Sequence, residues 1–286
     1  MTAPASGLVI VDKPSGITSH DVVSRVRRLA GIRKVGHAGT LDPMATGVLV
    51  LGINRATRLL GHLTLTDKTY QATIQLGATT TTDDAEGEVL QTRETDVLTP
   101  DQVEAALTGF VGEIDQVPSA VSAIKVDGQR AYKLARAGQE VNLSARRVQV
   151  HRIAVDRLEL PAVEISVDCS SGTYIRAIAR DLGVALGVGG HLSALRRTAV
   201  GSFSLDQART LAELEAEFSI IPISAAARAS FRSVDLDDTQ AQQVRFGRRL
   251  DLELTGISAV FAPDGEFLAL YEPIDSVQAW PVAVFV

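Results

Sequence analysis

The sequence contains a single cysteine, Cys169, among its 286 residues. A disulfide bond within the chain is therefore impossible, and a cysteine-rich zinc site is excluded. The five histidines are scattered along the chain and show no spacing typical of metal ligands. We therefore expect no metal site.

Long hydrophobic runs are also missing. No apolar stretch approaches the roughly 20 residues that a membrane-spanning helix needs. The opening residues, MTAPASGLVIVDKP, lack the basic segment that begins a signal peptide. We therefore expect a cytoplasmic protein that does not enter a membrane, and the length favours about two domains.

Charge is unevenly distributed along the chain. The net charge is -6, which argues mildly against a nucleic-acid partner. Residues 1–60, however, carry 8 Lys or Arg against 3 Asp or Glu, and residues 119–152 carry 7 against 2, whereas residues 61–118 carry 2 against 11. Polyanion binding depends on local potential rather than on the total charge. The two basic segments are consistent with either a nucleic-acid surface or an uneven surface charge with no ligand.

Hydrophobic periodicity predicts a mixed α+β chain. Continuous apolar runs at residues 8–11 and 48–51 are typical of buried strands, and TYQATIQLG and VEISVDCSSG alternate like half-buried strands. Capping residues and apolar spacing predict helices after Thr18, over residues 99–109, and within TYIRAIARDLG and LAELEAEF. A boundary near residues 222–230 precedes a predicted small β unit with strands in VRFGRRLDL, ISAVFAPDGEFLALY and WPVAVFV.

Asp42 is the first candidate functional residue. It lies in GHAGTLDPMATGVLVLG, a glycine-containing loop that leads into an apolar strand. An aspartate before proline is a common turn starter, which is the structural interpretation. His37, five residues earlier, brings an imidazole to the same loop, so the loop also suits a ligand site.

Two further candidates are Tyr70 and Arg176. Tyr70 begins an alternating strand, where a half-buried aromatic is the structural alternative. In SSGTYIRAIARDLG a turn opens a helix, and its N–H groups together with Arg176 suit a phosphate or a carboxylate. The alternative is a surface arginine beside a packed tyrosine.

A basic segment, QVPSAVSAIKVDGQRAYKLARAGQEV, completes the set of candidates. Cationic side chains interleaved with an aromatic one suit a phosphate backbone and a stacked base. A solvated amphipathic helix is the alternative. The cationic residues are Lys125, Arg130, Lys133 and Arg136, and the aromatic residue is Tyr132.

The order and the amino-acid sequences of these motifs resemble those of the TruB family of bacterial synthases, which make pseudouridine in the T loop of tRNA. The resemblance covers most of the chain. It is carried by LVIVDKPSGITSHDVVSRVR, GHAGTLDPMATGVLVLG, DKTYQATIQLG, TTTTDDAEGEV, the basic segment above, CSSGTYIRAIARDLG and GGHLSALRRTAVGSF. The last 57 residues, 230–286, are short and acidic and occupy the place of the family's RNA-binding PUA domain.

The resemblance implies an α+β pseudouridine-synthase fold, which is a mixed, largely antiparallel sheet with flanking helices and a thumb insertion. The catalytic domain is expected over residues 1–229, with the thumb at about 116–141. A short PUA-like RNA-binding β domain is expected over residues 230–286.

The resemblance also implies the reaction, the isomerisation of uridine to pseudouridine at position 55 of tRNA. The enzyme breaks the N1–C1′ bond, turns the base and joins C5 to C1′. No cofactor is expected, because nothing is oxidised and no group is imported. Asp42 is the expected catalytic residue, and a carboxylate can stabilise or trap the cation character at C1′. Attack on C1′ and removal of a proton from C2′ both remain open.

Further site residues follow from the same resemblance. His37 is expected to hold flipped-out loop nucleotides, Tyr70 to stack on the target base, and Arg176 to pair with Asp42. Other substrate contacts and the thumb contacts to the RNA backbone are expected from Tyr174, Leu195, Lys13, Lys125, Arg130, Lys133 and Arg136. The expected partner is the T-arm of tRNA, bound by a monomer.

Two other classes of function remain as alternatives. An RNA-binding or RNA-folding module without chemistry would use the basic segment, but the complete set of Asp42, Tyr70 and Arg176 argues against it. A glycoside hydrolase using Asp42 would need a second carboxylate in a matching loop, and the sequence offers none that is convincing.

Charge reversal in the thumb, by Arg130→Glu with Lys133→Glu, is predicted to weaken tRNA binding and lower its dependence on salt. Each lost phosphate contact should reduce the slope of log K against log salt by about 0.9 for duplex RNA or about 0.7 for a single strand. Affinity across a salt series, with circular dichroism to confirm folding, measures this. An unchanged slope in a folded double variant would contradict the assignment.

Overall fold

The computed structural model describes residues 6–119 and 143–286, together with the backbone of residues 125–126 and 129–130. The side chains of the four predicted thumb contacts, Lys125, Arg130, Lys133 and Arg136, lie outside the described residues. Their assignment to the RNA backbone stays a prediction.

The described residues form helices and strands in the mixed order expected of an α+β chain. The helices are α1 (Ser19–Ala30), α2 (Leu60–Thr64), α3 (Pro100–Thr108), α4 (Ile175–Ala185), α5 (Leu211–Ala216), α6 (Ile223–Ser230) and α7 (Asp238–Arg245). The strands are β1 (Gly7–Lys13), β2 (Val35–Ala38), β3 (Thr46–Ile53), β4 (Lys68–Leu76), β5 (Ala78–Thr80), β6 (Val89–Thr92), β7 (Gly112–Gln116), β8 (Lys125–Val126), β9 (Gln129–Arg130), β10 (Arg146–Glu159), β11 (Ala162–Cys169), β12 (Gly190–Val200), β13 (Phe203–Ser204), β14 (Ile221–Pro222), β15 (Arg232–Asp235), β16 (Leu250–Asp251), β17 (Ser258–Phe261), β18 (Phe267–Pro273) and β19 (Gln278–Val284).

A large sheet is built from strands that lie between residues 7 and 222. Its strand order is β14-β1-β3-β12-β4-β11-β10-β7, with β2 added to β3 and β13 added to β12. All its pairs are antiparallel except β3 with β12, which run parallel. The expected mixed, largely antiparallel sheet is therefore confirmed.

The central strands of this sheet fall into two groups with different surroundings. Both faces of β1 and β3 are buried, so their sequences read as continuous apolar runs. Strands β4 and β11 alternate between buried and more exposed residues, because helices cover only one of their faces. The helices that contribute buried residues to this core are α1, α3, α4 and α5.

A second, five-stranded sheet follows in the order β15-β17-β18-β19-β16. Phe261, Phe267 and Phe285 from this part of the chain pack with Leu8 and Val50 in a single buried cluster. The second sheet therefore covers, together with α2 and α6, the face of β1 and β3 that points away from α1, α3 and α4. Burying apolar area in this way stabilises the protein by about 25 cal/mol for each Å² removed from water.

Helix α1 shows how local signals fix the ends of an element. Thr18 and Asp21 form a reciprocal capping box at its start, and Gly31 ends it in the left-handed conformation with φ 65°. Val22, Val23 and Val26 are buried on the face that packs against the large sheet. The predicted helix is thus confirmed.

Two local predictions are wrong. VRFGRRLDL was expected to be a strand, but Arg245 still belongs to α7 and only Leu250–Asp251 pairs in a sheet. Asp237 and Gln240 form a capping box that starts this helix, and tertiary packing of Val244 extends it. His37 was expected in a loop, but it lies in β2 opposite Leu51 of β3.

Gly47 is required where β3 meets β12. Its φ is +99°, and a Cβ atom there would lie 2.2 Å from the carbonyl oxygen of Arg197. Gly47→Ala is therefore predicted to destabilise the fold by about 2 kcal/mol or more, because a clash is added to backbone strain. Thermal unfolding measures the effect.

Gly61→Ala is the matched control for this substitution. Gly61 is exposed in α2, and a Cβ atom there meets nothing within 4 Å. Alanine is favoured over glycine in a helix, so the control should keep or raise the Tm. A Tm of Gly47→Ala equal to wild type would contradict the close approach of β3 and β12.

Candidate active site

Asp42 lies in the loop that joins β2 to β3, and hydrogen bonds to the loop backbone fix its position. Ser19, the first residue of α1, accepts a hydrogen bond from the Leu41 N–H at 2.9 Å and donates to the Leu41 carbonyl at 3.1 Å. Because Leu41 and Ser19 are both buried, this reciprocal pair fixes the residue immediately before Asp42.

Lys13, at the end of β1, holds the residues that follow Asp42. Its ammonium group donates to the carbonyl oxygens of Pro43 at 3.1 Å, Ala45 at 2.7 Å and Pro14 at 2.8 Å. Burial lowers the pKa of Lys13 to about 8, while the negative charge of Asp42 acts in the opposite direction. Lys13 was predicted to contact the substrate. Here it is fully buried and supports the loop, and its contact with the substrate stays a prediction.

Arg197, from β12, holds the loop from the other side. Its Nε donates to the Val48 carbonyl at 2.8 Å, and its Nη atoms donate to the carbonyls of Gly39 at 3.1 Å and Thr40 at 3.4 Å. Its side chain is fully buried. Two buried cations therefore hold the backbone of one short loop, and the sequence analysis had not selected Arg197.

Arg176 holds the carboxylate of Asp42 itself. Its Nε lies 3.0 Å from Asp42 Oδ2 and its Nη2 lies 3.2 Å from Asp42 Oδ1, which is a bidentate pair. The other side of the guanidinium group contacts Asp84, with Nη1 3.2 Å from Oδ2. The expected contact between Arg176 and Asp42 is present, and Asp84 adds a second carboxylate that the sequence analysis had not selected.

Exposure differs sharply among these three residues. The side chains of Arg176 and Asp84 are 5% and 4% exposed, whereas that of Asp42 is 33% exposed. Burial raises the pKa of Asp42 above its usual value, the charge of Arg176 opposes that shift, and the charge of Asp84 adds to it. Asp42 is thus the most exposed member of the group.

The turn before α4 positions Arg176. Gln116 at the end of β7 accepts a hydrogen bond from the Tyr174 N–H at 2.7 Å and donates to the Tyr174 carbonyl at 3.0 Å. The N–H groups of this turn were predicted to suit an anion. The Tyr174 N–H instead donates to a side-chain amide. Ile175 and Ile178 bury the adjacent face of α4 in the core.

A cavity of about 380 Å³ opens beside Asp42. This volume lies within the range of about 300–1,000 Å³ that is common for small-ligand sites. Five predicted site residues line it, namely Asp42, Tyr70, Tyr174, Arg176 and Leu195. The structure therefore brings together residues that are far apart in the sequence, with 153 positions between Asp42 and Leu195.

Tyr70 is nearly buried in the cavity wall. Burial raises the pKa of its phenol, and the neighbouring Arg197 opposes the shift through its charge and a hydrogen bond. A raised pKa keeps the phenol neutral near pH 7, so its ring is suited to stacking on a planar ligand.

His37 does not line this cavity. Its ring lies against that of His20, with centroids 5.5 Å apart and planes at 80°. The predicted contact of His37 with loop nucleotides therefore concerns a neighbouring surface and stays a prediction.

Three side chains near Asp42 carried no signal that a single sequence could reveal. Asp84 follows another aspartate, and Arg197 follows another arginine. Lys68 lies in the strand in which Tyr70 was the candidate residue. Each acquires its role from residues distant in the chain. Only the spatial arrangement separates Asp84 from Asp83 or Arg197 from Arg196.

Across residues 6–119 and 143–286, no group of three or more His, Cys, Asp or Glu residues is arranged to hold a metal ion. The described helices include none that is long and apolar enough to cross a membrane.

Comparison with known families gives matches along most of the chain. The profile described as TruB family pseudouridylate synthase (N terminal domain) matches residues 27–175. The profiles described as tRNA pseudouridylate synthase B C-terminal domain and tRNA Pseudouridine synthase II, C terminal, match residues 176–227 and 231–286.

Individual relatives and solved structures agree with these profiles. tRNA pseudouridine synthase B of Arthrobacter sp. (strain FB24) is 54% identical, covering 98% of this chain and 96% of its own. The protein of that name from Thermobifida fusca (strain YX) is 56% identical, covering 98% and 99%.

Among solved structures, a chain in the crystal structure of a Cbf5-Nop10-Gar1 complex has a TM-score of 0.78 at 27% identity, covering 98% of this chain and 85% of that one. A chain in an H/ACA RNP bound to a substrate RNA containing 2′-deoxyuridine has a TM-score of 0.76 at 25% identity, with the same coverage. The large sheet and the C-terminal β unit thus form a known pseudouridine-synthase architecture. The chain belongs to the TruB family of pseudouridylate synthases.

Proposed function

We propose that this protein isomerises uridine to pseudouridine in tRNA, at position 55 of the T loop. The observation that carries the proposal is the bidentate pair between Asp42 and Arg176 at the side of a cavity large enough for a nucleoside. The family to which the chain belongs and the names of its relatives support tRNA as the substrate.

Asp42 is the proposed catalytic residue. Breaking the C1′–N1 bond builds positive charge on the ribose, and a carboxylate fixed by a guanidinium group can stabilise or trap that charge without moving. Arg176 stabilises the ionised form of Asp42 and orients both oxygens of its carboxylate. Attack on C1′ and removal of a proton from C2′ are both compatible with this arrangement.

Tyr70, Tyr174 and Leu195 are the proposed walls of the uracil site, with Tyr70 stacked on the base. The target base must leave its loop to reach them, which costs a few kcal/mol. Contacts to the RNA backbone offset that cost. The basic thumb and the basic segment that includes Arg25, Arg27, Arg28, Arg33 and Lys34 are the proposed sources of these contacts.

Residues 1–229 are proposed as the catalytic domain, and residues 230–286 as a PUA-like domain that adds RNA contacts. The five-stranded sheet and its buried contacts with β1 and β3 support a fixed docking of the second unit on the first. We propose that the T-arm of tRNA binds to a monomer in the cytoplasm, without a cofactor.

The geometry argues against glycoside hydrolysis. A hydrolase of this kind places two carboxyl groups on opposite sides of the scissile bond. The second carboxylate near Asp42 is Asp84, which is buried behind Arg176 and is not among the residues that line the cavity. It therefore cannot act as a second acid or base on the same sugar.

Asp42→Asn is predicted to abolish isomerisation while leaving tRNA affinity nearly unchanged. Asp42 faces one sugar, whereas affinity comes from many phosphate contacts. Turnover should fall by several orders of magnitude, as measured by pseudouridine mapping of treated tRNA. Free uracil in the reaction of the wild-type enzyme would instead indicate a hydrolase.

Asp84→Asn is predicted to shift the acid limb of the kcat profile to lower pH. The charge of Asp84 raises the pKa of Asp42, so removing that charge lowers this pKa and keeps Asp42 ionised in more acidic solution. The kcat on the plateau should fall by up to about 100-fold, because Arg176 loses a contact that positions it.

Glu86→Gln serves as the control for this prediction. It removes an acidic charge two residues away, and Glu86 makes no ion pair within the described residues. The profile of this control should overlay that of wild type. An acid limb that stays in place or moves to higher pH in Asp84→Asn would contradict the proposed coupling.

A further inference from the structure

One wall of the cavity is built from alternate residues of two neighbouring strands. Lys68 and Tyr70 lie two positions apart on β4, and Leu195 and Arg197 lie two positions apart on β12. Tyr70 pairs directly with Arg197 across the strands. Because alternate residues of a strand share a face, all four side chains meet the same cavity.

This wall contains two cations that meet at Gly39. A Cβ atom placed on Gly39 would lie 3.5 Å from Arg197 Nη1 and 3.9 Å from Lys68 Cε. Both side chains are buried, with exposures of 1% for Arg197 and 7% for Lys68. The two positive charges are therefore close together and shielded from solvent.

No carboxylate neutralises this pair among the described residues. Neither Lys68 nor Arg197 forms an ion pair there, whereas nine other residues of the described part of the chain, eight arginines and His151, each lie within 4.0 Å of a carboxylate oxygen. Burying a cation without a counter-ion costs free energy. Burial and the charge of Arg197 lower the pKa of Lys68 to about 8. The wall therefore favours a ligand that carries or develops negative charge.

Lys68 also keeps one donor for a ligand. Its ammonium group donates to the carbonyl oxygens of Thr64, at 2.7 Å, and Thr66. An ammonium group has three N–H donors. With two of them fixed by the end of α2 and the turn that follows it, the third can reach the cavity that Lys68 lines.

The same cavity also presents a carboxylate. Asp42 lines it and is held there by Arg176, whereas Asp84 is buried behind Arg176 and Lys13 is buried against the backbone of the Asp42 loop. A ligand in the cavity therefore meets one carboxylate, at Asp42, and the two cations of the wall, at Lys68 and Arg197. This polarity matches a bond that breaks into a cation and an anion.

We propose that Lys68, reinforced by the charge of Arg197, stabilises the uracil anion that forms when the glycosidic bond breaks. The inference rests on the proposed isomerase function. When C1′–N1 breaks, its electron pair stays on the base and spreads over N1, O2 and O4. Lys68 donates a hydrogen bond to this developing charge as an oxyanion-hole donor does.

Charge and atoms balance over the whole reaction. The electron density of the anion returns when C5 forms its bond to C1′. The proton on C5 then leaves and N1 gains one, so that the product has the composition of the substrate. Lys68 begins and ends the cycle protonated and acts by charge alone.

Lys68→Met tests the proposal, because it keeps the length of the side chain and removes its charge. Single-turnover isomerisation of tRNA is expected to fall about 10²- to 10³-fold, the usual effect of losing one such donor. Lys68→Arg should recover part of the rate. Lys68→Gln provides a second uncharged variant if Lys68→Met does not fold, as judged by circular dichroism and Tm.

The decisive comparison uses tRNA that carries 5-fluorouridine at the target position. Fluorine withdraws electrons and makes the uracil anion intrinsically more stable, so this base needs less help from the protein as it leaves. The rate of C1′–N1 cleavage is followed as loss of uridine or 5-fluorouridine from nuclease digests. The deficit of Lys68→Met relative to wild type should be several-fold smaller with 5-fluorouridine than with uridine.

Other outcomes would overturn the inference. An equal deficit on both substrates would indicate a structural role for Lys68. A loss confined to tRNA affinity, as expected for the exposed Lys34→Met control, would indicate a phosphate contact instead. If wild type makes no pseudouridine, the proposed function fails. If the wild type isomerises tRNA normally and Lys68→Met is equally active, this inference is refuted and the proposed function stands.

Discussion

Buried cations that donate hydrogen bonds to backbone carbonyls are the interaction on which the site depends. Lys13 holds Pro43 and Ala45, and Arg197 holds Gly39, so the loop is fixed on both sides of Asp42. Hydrogen bonds from charged groups contribute more than those between neutral groups. The loop can therefore present a carboxylate at a set position without belonging to a helix or strand.

The same cations give the site its electrostatic character. Arg176 contacts Asp42 and Asp84, Lys13 lies beside the Asp42 loop, and Lys68 and Arg197 contribute positive charge to the cavity wall. Charges fixed in this way cost stability, because each is removed from water. They also need little rearrangement when charge develops on a bound substrate. Burial of apolar residues in the core offsets this cost.

The two sheets show where that core lies. Helices α1, α3, α4 and α5 cover one face of the large sheet, and the C-terminal sheet covers the other face of β1 and β3, together with α2 and α6, through Phe261, Phe267 and Phe285. The C-terminal unit thus contributes to the rigidity of β3, which begins directly after the Asp42 loop. The acidic composition of this unit does not affect that role, because its contact with β1 and β3 is apolar.

The sequence by itself determined the α+β class, the capped helix α1, the buried strands β1 and β3, and the cavity residues Asp42, Tyr70 and Arg176. Local signals and motif order are enough for these. Only the tertiary structure decided that Lys13 supports the loop and that Asp84 and Arg197 complete the site. The reason is that each of these roles depends on a partner distant in the chain, and spacing along one sequence carries no information about such partners.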